Sequence, residues 1–171
     1  MIIRPSMSGI FEKHVETPLD ISGMPTARLA YGLRLLRAAY TGAAIRVRRD
    51  SDSTEADVYF SNQKEVTLNS LTSAGSTLRD FVGSNSAFVT KWYNQSGNTS
   101  TQQGGGSWSG YPTAPDAVQT TTSRQPELIS SGVFNRGLKC VTSGGFSASG
   151  DYLQVNQYRL PNTDDNFSLV M

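Results

Sequence analysis

Ala87-Phe88-Val89-Thr90-Lys91-Trp92-Tyr93 is the densest run of β-formers in the chain. It predicts a strand, because branched and aromatic side chains fit a pleated, half-buried surface. Side chains alternate along a strand, so one of Trp92 and Tyr93 should be buried and the other at the surface or sheet edge. Trp92 is assigned to the core. Upstream, Ile45-Arg46-Val47-Arg48 alternates with Ile45 and Val47 inward and the arginines outward. Asp50-Ser51-Asp52-Ser53 makes a polar turn, and Ala56-Asp57-Val58-Tyr59-Phe60 reads as the returning strand. A short helix is predicted from Leu71 to Val82, burying Leu71, Leu78, Phe81 and Val82 and ending at Gly83.

Another helix is predicted over residues 26–42. Thr26 suits the N-cap, Leu29, Leu33, Leu36 and Tyr40 fall on one helical face, and Gly42 stands where a stop belongs. Residues 1–25 hold Pro5, Pro18 and Pro25 and little periodicity, which reads as an extended arm. Downstream of Gln95-Ser96-Gly97-Asn98, residues 99–122 are polar and include Gly104-Gly105-Gly106, so a long loop or insertion is expected. Short strands resume at Gln125-Pro126-Glu127-Leu128-Ile129, near 138–142, at Tyr152–Val155 and at Phe167–Met171. The sequence stops inside that last apolar pattern, so it is expected to be a fragment of a longer product.

Composition sets the bounds. With 171 residues the chain suits one domain with a leading arm, 1–25 and 26–171. A domain of this size buries roughly 70% of its unfolded surface and needs no staples. An apolar content of 37% is that of a globular protein, and 16 glycines favour turns and short strands over a helical bundle. The net charge of +1 argues against nucleic-acid binding through bulk electrostatics. Cys140 is the one cysteine, so no internal disulfide forms, and its alternating setting predicts burial as a small apolar residue. One histidine and one cysteine do not make a usual zinc site, acidic spacing gives no support to a calcium site, and no cofactor is expected. The first residues lack the apolar run of a signal peptide, and no segment has the length of a membrane span.

Several motifs then recur in fixed order: Leu33-Arg34-Leu35-Leu36-Arg37-Ala38-Ala39-Tyr40-Thr41-Gly42, Ile45-Arg46-Val47-Arg48-Arg49, Ala56-Asp57, and Phe88-Val89-Thr90-Lys91-Trp92-Tyr93-Asn94-Gln95-Ser96-Gly97-Asn98. This stretch resembles a segment near the start of phage and prophage structural proteins that leads into a laminin-G/concanavalin-like jelly roll. It is also similar to the N-terminal part of the catalytic sandwich of fungal-type α-L-arabinofuranosidases. Ser123-Arg124-Gln125-Pro126-Glu127-Leu128-Ile129 and Ser149-Gly150-Asp151-Tyr152-Leu153 look like the linking strand and the start of the jelly roll. The resemblance covers residues 28–98 and 123–171 and implies a mainly β fold: a lectin-like β-sandwich with two short helices and an extended N-terminal arm. Three departures stand out. Asn94 replaces the aspartate of the family turn, Leu19-Asp20 stands where the secreted enzymes carry a cysteine before aspartate, and residues 99–118 look inserted. The missing disulfide suits a protein assembled in the cytoplasm.

Glycoside hydrolysis needs two carboxyl groups about 5 to 9.5 Å apart. In the resembling enzymes both lie beyond the region that this chain covers, so no catalytic residue carries over. Asp50, Asp52, Glu55 and Asp57 directly follow the arginines and read as a solvated turn that neutralises its neighbours. His14, in the arm, has no nucleophile beside it.

Binding is the chemistry that remains. Arg28, Arg34, Arg37, Arg46, Arg48 and Arg49 come with no acid among them. They read either as an outer face whose charges meet the following acids locally, the preferred reading, or as an interface for acidic partner residues. Trp108 and Tyr111 lie in a Gly/Ser loop where nothing local buries them, which suits contact with a neighbouring subunit or a glycan. Arg34, Arg37, Arg46, Arg48, Trp108 and Tyr111 are the candidate partner contacts. The expectation is a virion structural protein, made in the host cytoplasm, that joins other virion proteins as a homo-oligomer and serves host attachment. The alternatives are the leading part of an arabinofuranosidase-type hydrolase or a carbohydrate-binding module, either of them secreted.

Overall fold

The computed structural model describes residues 17–23, 27, 29–97, 116–140 and 150–155, and the backbone alone of 102–103 and 106–107. In chain order its elements are β1 (Ile45–Arg49), β2 (Glu55–Val58), α1 (Leu78–Val82), β3 (Ala87–Trp92), β4 (Gln102–Gln103), β5 (Gly106–Ser107), β6 (Ala117–Val118), β7 (Glu127–Ser130) and β8 (Val133–Lys139). The fold is mainly β. Six strands form an antiparallel sheet in the order β2-β1-β3-β7-β8, with β6 also paired to β3. The far edge of β3 is shared between two partners: β7 runs beside Ala87 and Phe88, and β6 beside Lys91 and Trp92. β4 and β5 make a separate small antiparallel pair.

Alternation decides which face of the sheet is dry. Ile45 opposes Val58, and Val47 opposes Ala56 on one side and Val89 on the other, so one face becomes continuously aliphatic. All five are buried in a core that also takes Leu78, Phe81 and Val82 from α1 and Leu128 and Ile129 from β7. Each fully buried large side chain stabilises the fold by about 1.5–3 kcal/mol. Off the strands, α1 and Val66 belong to this core, and Leu33, Phe60, Leu68 and Leu153 pack against it. Trp92 packs against the core as expected, though only half-buried, with the Tyr31 ring 6.1 Å away.

The helix predicted over residues 26–42 does not form among its described residues. Its backbone groups are claimed by distant partners. Val66 donates to the Leu33 carbonyl at 2.7 Å, Leu35 donates to the Lys64 carbonyl at 2.7 Å, and Leu36 donates to Gln95 Oε1 at 2.8 Å. The apolar spacing imitates a helical face, yet Leu33 and Leu36 reach the interior from an irregular strap. The second helix shrinks from Leu71–Val82 to Leu78–Val82. A turn precedes it, in which Thr72 bonds Ser76 and Gly75 has φ +80°, and Leu71 is 62% exposed instead of buried. Thr77 caps α1 by accepting from the Asp80 amide, and Gly83 at φ 62° ends it.

Three further expectations change. The strand placed near 138–142 runs instead over Val133–Lys139, and Cys140, just past its end, is exposed and not buried. The loop expected over 99–122 contains β4, β5 and β6, and a 3-10 turn begins at Thr122. Tyr152–Val155 contributes a single bridge, Gln154 to Val118. Of the predicted arm, Thr17–Gly23 lie on the chain itself: Leu19 donates to the Leu36 carbonyl, and the Asp20 carboxylate accepts from the Ala38 amide and the Thr17 hydroxyl. The Ala38 amide and then Thr17 hold the Asp20 carboxyl below its ordinary range. The rest of the arm, and Phe167–Met171, lie outside the described residues.

Candidate functional site

The face of the sheet opposite the core is polar, and the strand register orders it into rows. In one row Asp57, Arg46 and Lys91 stand side by side across β2, β1 and β3. Arg46 grips Asp57 with two parallel bonds, Nε to Oδ1 at 2.7 Å and Nη2 to Oδ2 at 3.0 Å. The Tyr93 hydroxyl donates to the same Oδ1 at 2.6 Å. Lys91 Nζ lies 5.2 Å from the Tyr93 ring centre and 3.9 Å from Asp116, which also accepts from the Asn94 amide. The Arg46 bonds hold the Asp57 carboxyl below its usual range. Burial, and then the bond to Asp57, pushes the Tyr93 phenol well above its own. Burial also lifts Tyr40, with Asp116 and Asp57 adding to it, to about 12, and its hydroxyl donates to the Ala43 carbonyl.

A second row crosses five strands: Glu55, Arg48, Phe88, Glu127 and Lys139. The Arg48 guanidinium lies 5.2 Å from the centre of the Phe88 ring, and its Nε donates to the buried Gln125 carboxamide at 2.8 Å. Glu127 meets Lys139 at 3.5 Å and accepts from the Ser130 hydroxyl. An aromatic centre with alternating charge on either side can bind a polar surface.

The turn at 94–97 serves the fold. Gln95 is fully buried; its Oε1 accepts from the Leu36 amide, and its Nε2 donates to the Gly32 and Arg34 carbonyls. Asn94 Oδ1 accepts from the amides of Ala30 and Ser96. Gly97 has φ +65°, and a methyl there would fall onto the Arg37 guanidinium, whose Nη1 donates to the Ser96 carbonyl at 2.6 Å. The turn is a clamp that holds the strap against the sheet. An amide at position 94 serves this role without charge.

The candidate arginines therefore separate. Arg46 and Arg48 lie on the polar face, whereas Arg34 and Arg37 lie on the strap, Arg34 exposed and Arg37 tied to the clamp. Arg49 points to the core side, bonding Asp52 and the Phe81 carbonyl. Arg46 and Arg49 thus meet nearby acids, as the local reading of the charges expected. Trp108 and Tyr111 lie outside the described residues. Phe88, Lys91, Glu127 and Lys139 were not singled out from the sequence: strict alternation back from Trp92 in the core puts Phe88 on the core side, and the register shift between β1 and β3 at Arg46/Val47 is what turns it to the polar face. Among the described residues no three His, Cys, Asp or Glu side chains gather as a metal site, and no helix is long and apolar enough to cross a membrane. No protein-family model matches the chain, and neither a curated protein nor a solved structure is detectably similar to it.

Proposed function

We propose that this chain is a structural protein of a phage particle, a tail, fibre or head-decoration component that acts by binding and not by catalysis. In this reading it attaches through its N-terminal region and presents a lectin-like β-sandwich of the laminin-G/concanavalin kind. The observation that carries the binding role is the ordered polar face, with Phe88 at its centre and charged side chains around it. Such a face has the make-up of a protein contact, an aromatic centre within a polar rim. The resemblance of residues 28–98 and 123–171 supplies the phage assignment, and other virion proteins are the partners it implies. Mass spectrometry of purified particles tests it: the protein should be found in intact virions, and its absence from them would overturn the assignment.

The exposed rings of Tyr59 and Tyr152 favour a second reading, carbohydrate binding by a module or by the leading part of a secreted hydrolase. Aromatic rings offer sugars contact area at low entropic cost. Binding on a glycan array, lost in Tyr59→Ala or Tyr152→Ala, would support it.

A further inference from the structure

The row Glu55, Arg48, Phe88, Glu127, Lys139 reads negative, positive, aromatic, negative, positive across the sheet. Read from the opposite end, every sign is reversed while the aromatic stays in place. A two-fold axis between two such faces, parallel to β3 and passing over Phe88, performs this reversal. It sets Glu55 opposite Lys139, Arg48 opposite Glu127 and Phe88 upon Phe88. We infer that the polar face docks a second copy of this chain, face to face, as a two-fold symmetric dimer. This rests on reading that face as a contact surface and names its partner.

The two-fold requires self-complementarity, residue i meeting j and j meeting i, and both charge pairs of this row satisfy it. Glu55 is exposed, Lys139 has 59% of its side chain exposed, and among the described residues no carboxylate forms an ion pair with Arg48; Glu127 keeps 17% and must share its charge between Lys139 of its own chain and Arg48 of the other. Lys91, on β3, would face its own copy, but Asp116 lies 3.9 Å from each ammonium and offsets that repulsion. Five strands at about 4.8 Å spacing make the row roughly 19 Å wide. A face of that width belongs with the smallest protein interfaces, below about 1,200 Å² in total. Association in dilute solution is therefore weak and salt-sensitive, and many copies on one particle strengthen it through high effective concentration.

Sedimentation equilibrium of the full chain tests the inference. The wild type should approach twice the monomer mass as concentration rises, and should lose this between 0.1 and 1 M salt, where the Debye length falls from about 10 Å to about 3 Å. Glu55→Lys and Lys139→Glu should each weaken self-association about tenfold, because each sets like charges opposite each other at two places. An equal mixture of the two variants should associate again. The lysine introduced on β2 of one copy then meets the glutamate introduced on β8 of the other. Mixing changes nothing within either chain, so a folding defect cannot imitate that rescue. A wild type that stays monomeric up to about 1 mM, or a mixture no tighter than its components, overturns the dimer. Presence of the protein in purified virions would leave the particle assignment standing in either case.

Discussion

The carboxamide of Gln95 is sealed from solvent and binds three backbone groups of a segment far away in sequence. Gln95→Ala leaves the Leu36 amide without a partner in the interior, and leaves the Gly32 and Arg34 carbonyls to find water. The expected cost is about 2–4 kcal/mol, read as a Tm lower by roughly 5–10 °C. Asp57 gives a pH-dependent counterpart. Its folded pKa lies below the ordinary 3.8 because Arg46 binds the ionised form. A depressed carboxylate contributes stability that is present above the unfolded pKa and is lost as the pH falls through the folded one. Asp57→Asn should therefore destabilise most near pH 7, with the gap closing below about pH 3.8. Urea midpoints of both proteins at pH 7 and pH 3 measure it, and a gap of constant size would contradict the Arg46 explanation.

At the scale of elements, the strap over residues 29–38 departs furthest from what local sequence predicts. Leu29, Leu33, Leu36 and Tyr40 have helical spacing, but a helix must satisfy its own backbone, and here the clamp and residues 64–66 supply the partners. Nothing within residues 26–42 announces a glutamine at position 95. By contrast, β1 and β2 were legible because inward aliphatics alternate with outward charges, and β3 and β7 because β-formers are dense there; no distant group needs to be known, although the register shifts in β3 and β7 were not legible. Thr77 and Gly83 signalled the ends of α1, whereas the bridged turn before it, built from Leu71, Thr72, Ser76 and Thr77, did not read as sheet edge. Hydrogen exchange distinguishes the strap from a helix. The amides of Leu35, Leu36 and Val66 should be protected in the wild type, and in Gln95→Ala those of Leu35 and Leu36 should exchange faster while the Val47 and Val89 amides stay slow. Loss of protection in β1 and β3 to the same degree would mean that the clamp supports the whole sheet.

For the molecule as a whole, the sheet has a dry side and a charged side, and both trace to alternation in the same few strands. The arginines looked from the sequence like one group, yet the fold distributes them among the face, the strap and the core side. Arg46 and Arg49 sit only three residues apart and still end on opposite sides, because an odd offset along a strand reverses the direction of the side chain. The polar face needed the pairing of β3 with β7 and of β7 with β8 before its second row existed, and no single segment contains that information. The clamp has a consequence in time as well. Ala30 and Leu36 meet Asn94 and Gln95 across 64 and 59 residues of chain, so the loop between them must close before any of those bonds form. Closing a loop of that length costs entropy before any bond offsets it, and the strap can dock only once β3 has delivered the turn that receives it. Gln95→Ala should then speed unfolding and leave the folding rate almost unchanged in stopped-flow traces, as for a contact made after the rate-limiting barrier. The strap would be the last part of the chain to arrive and the first to leave.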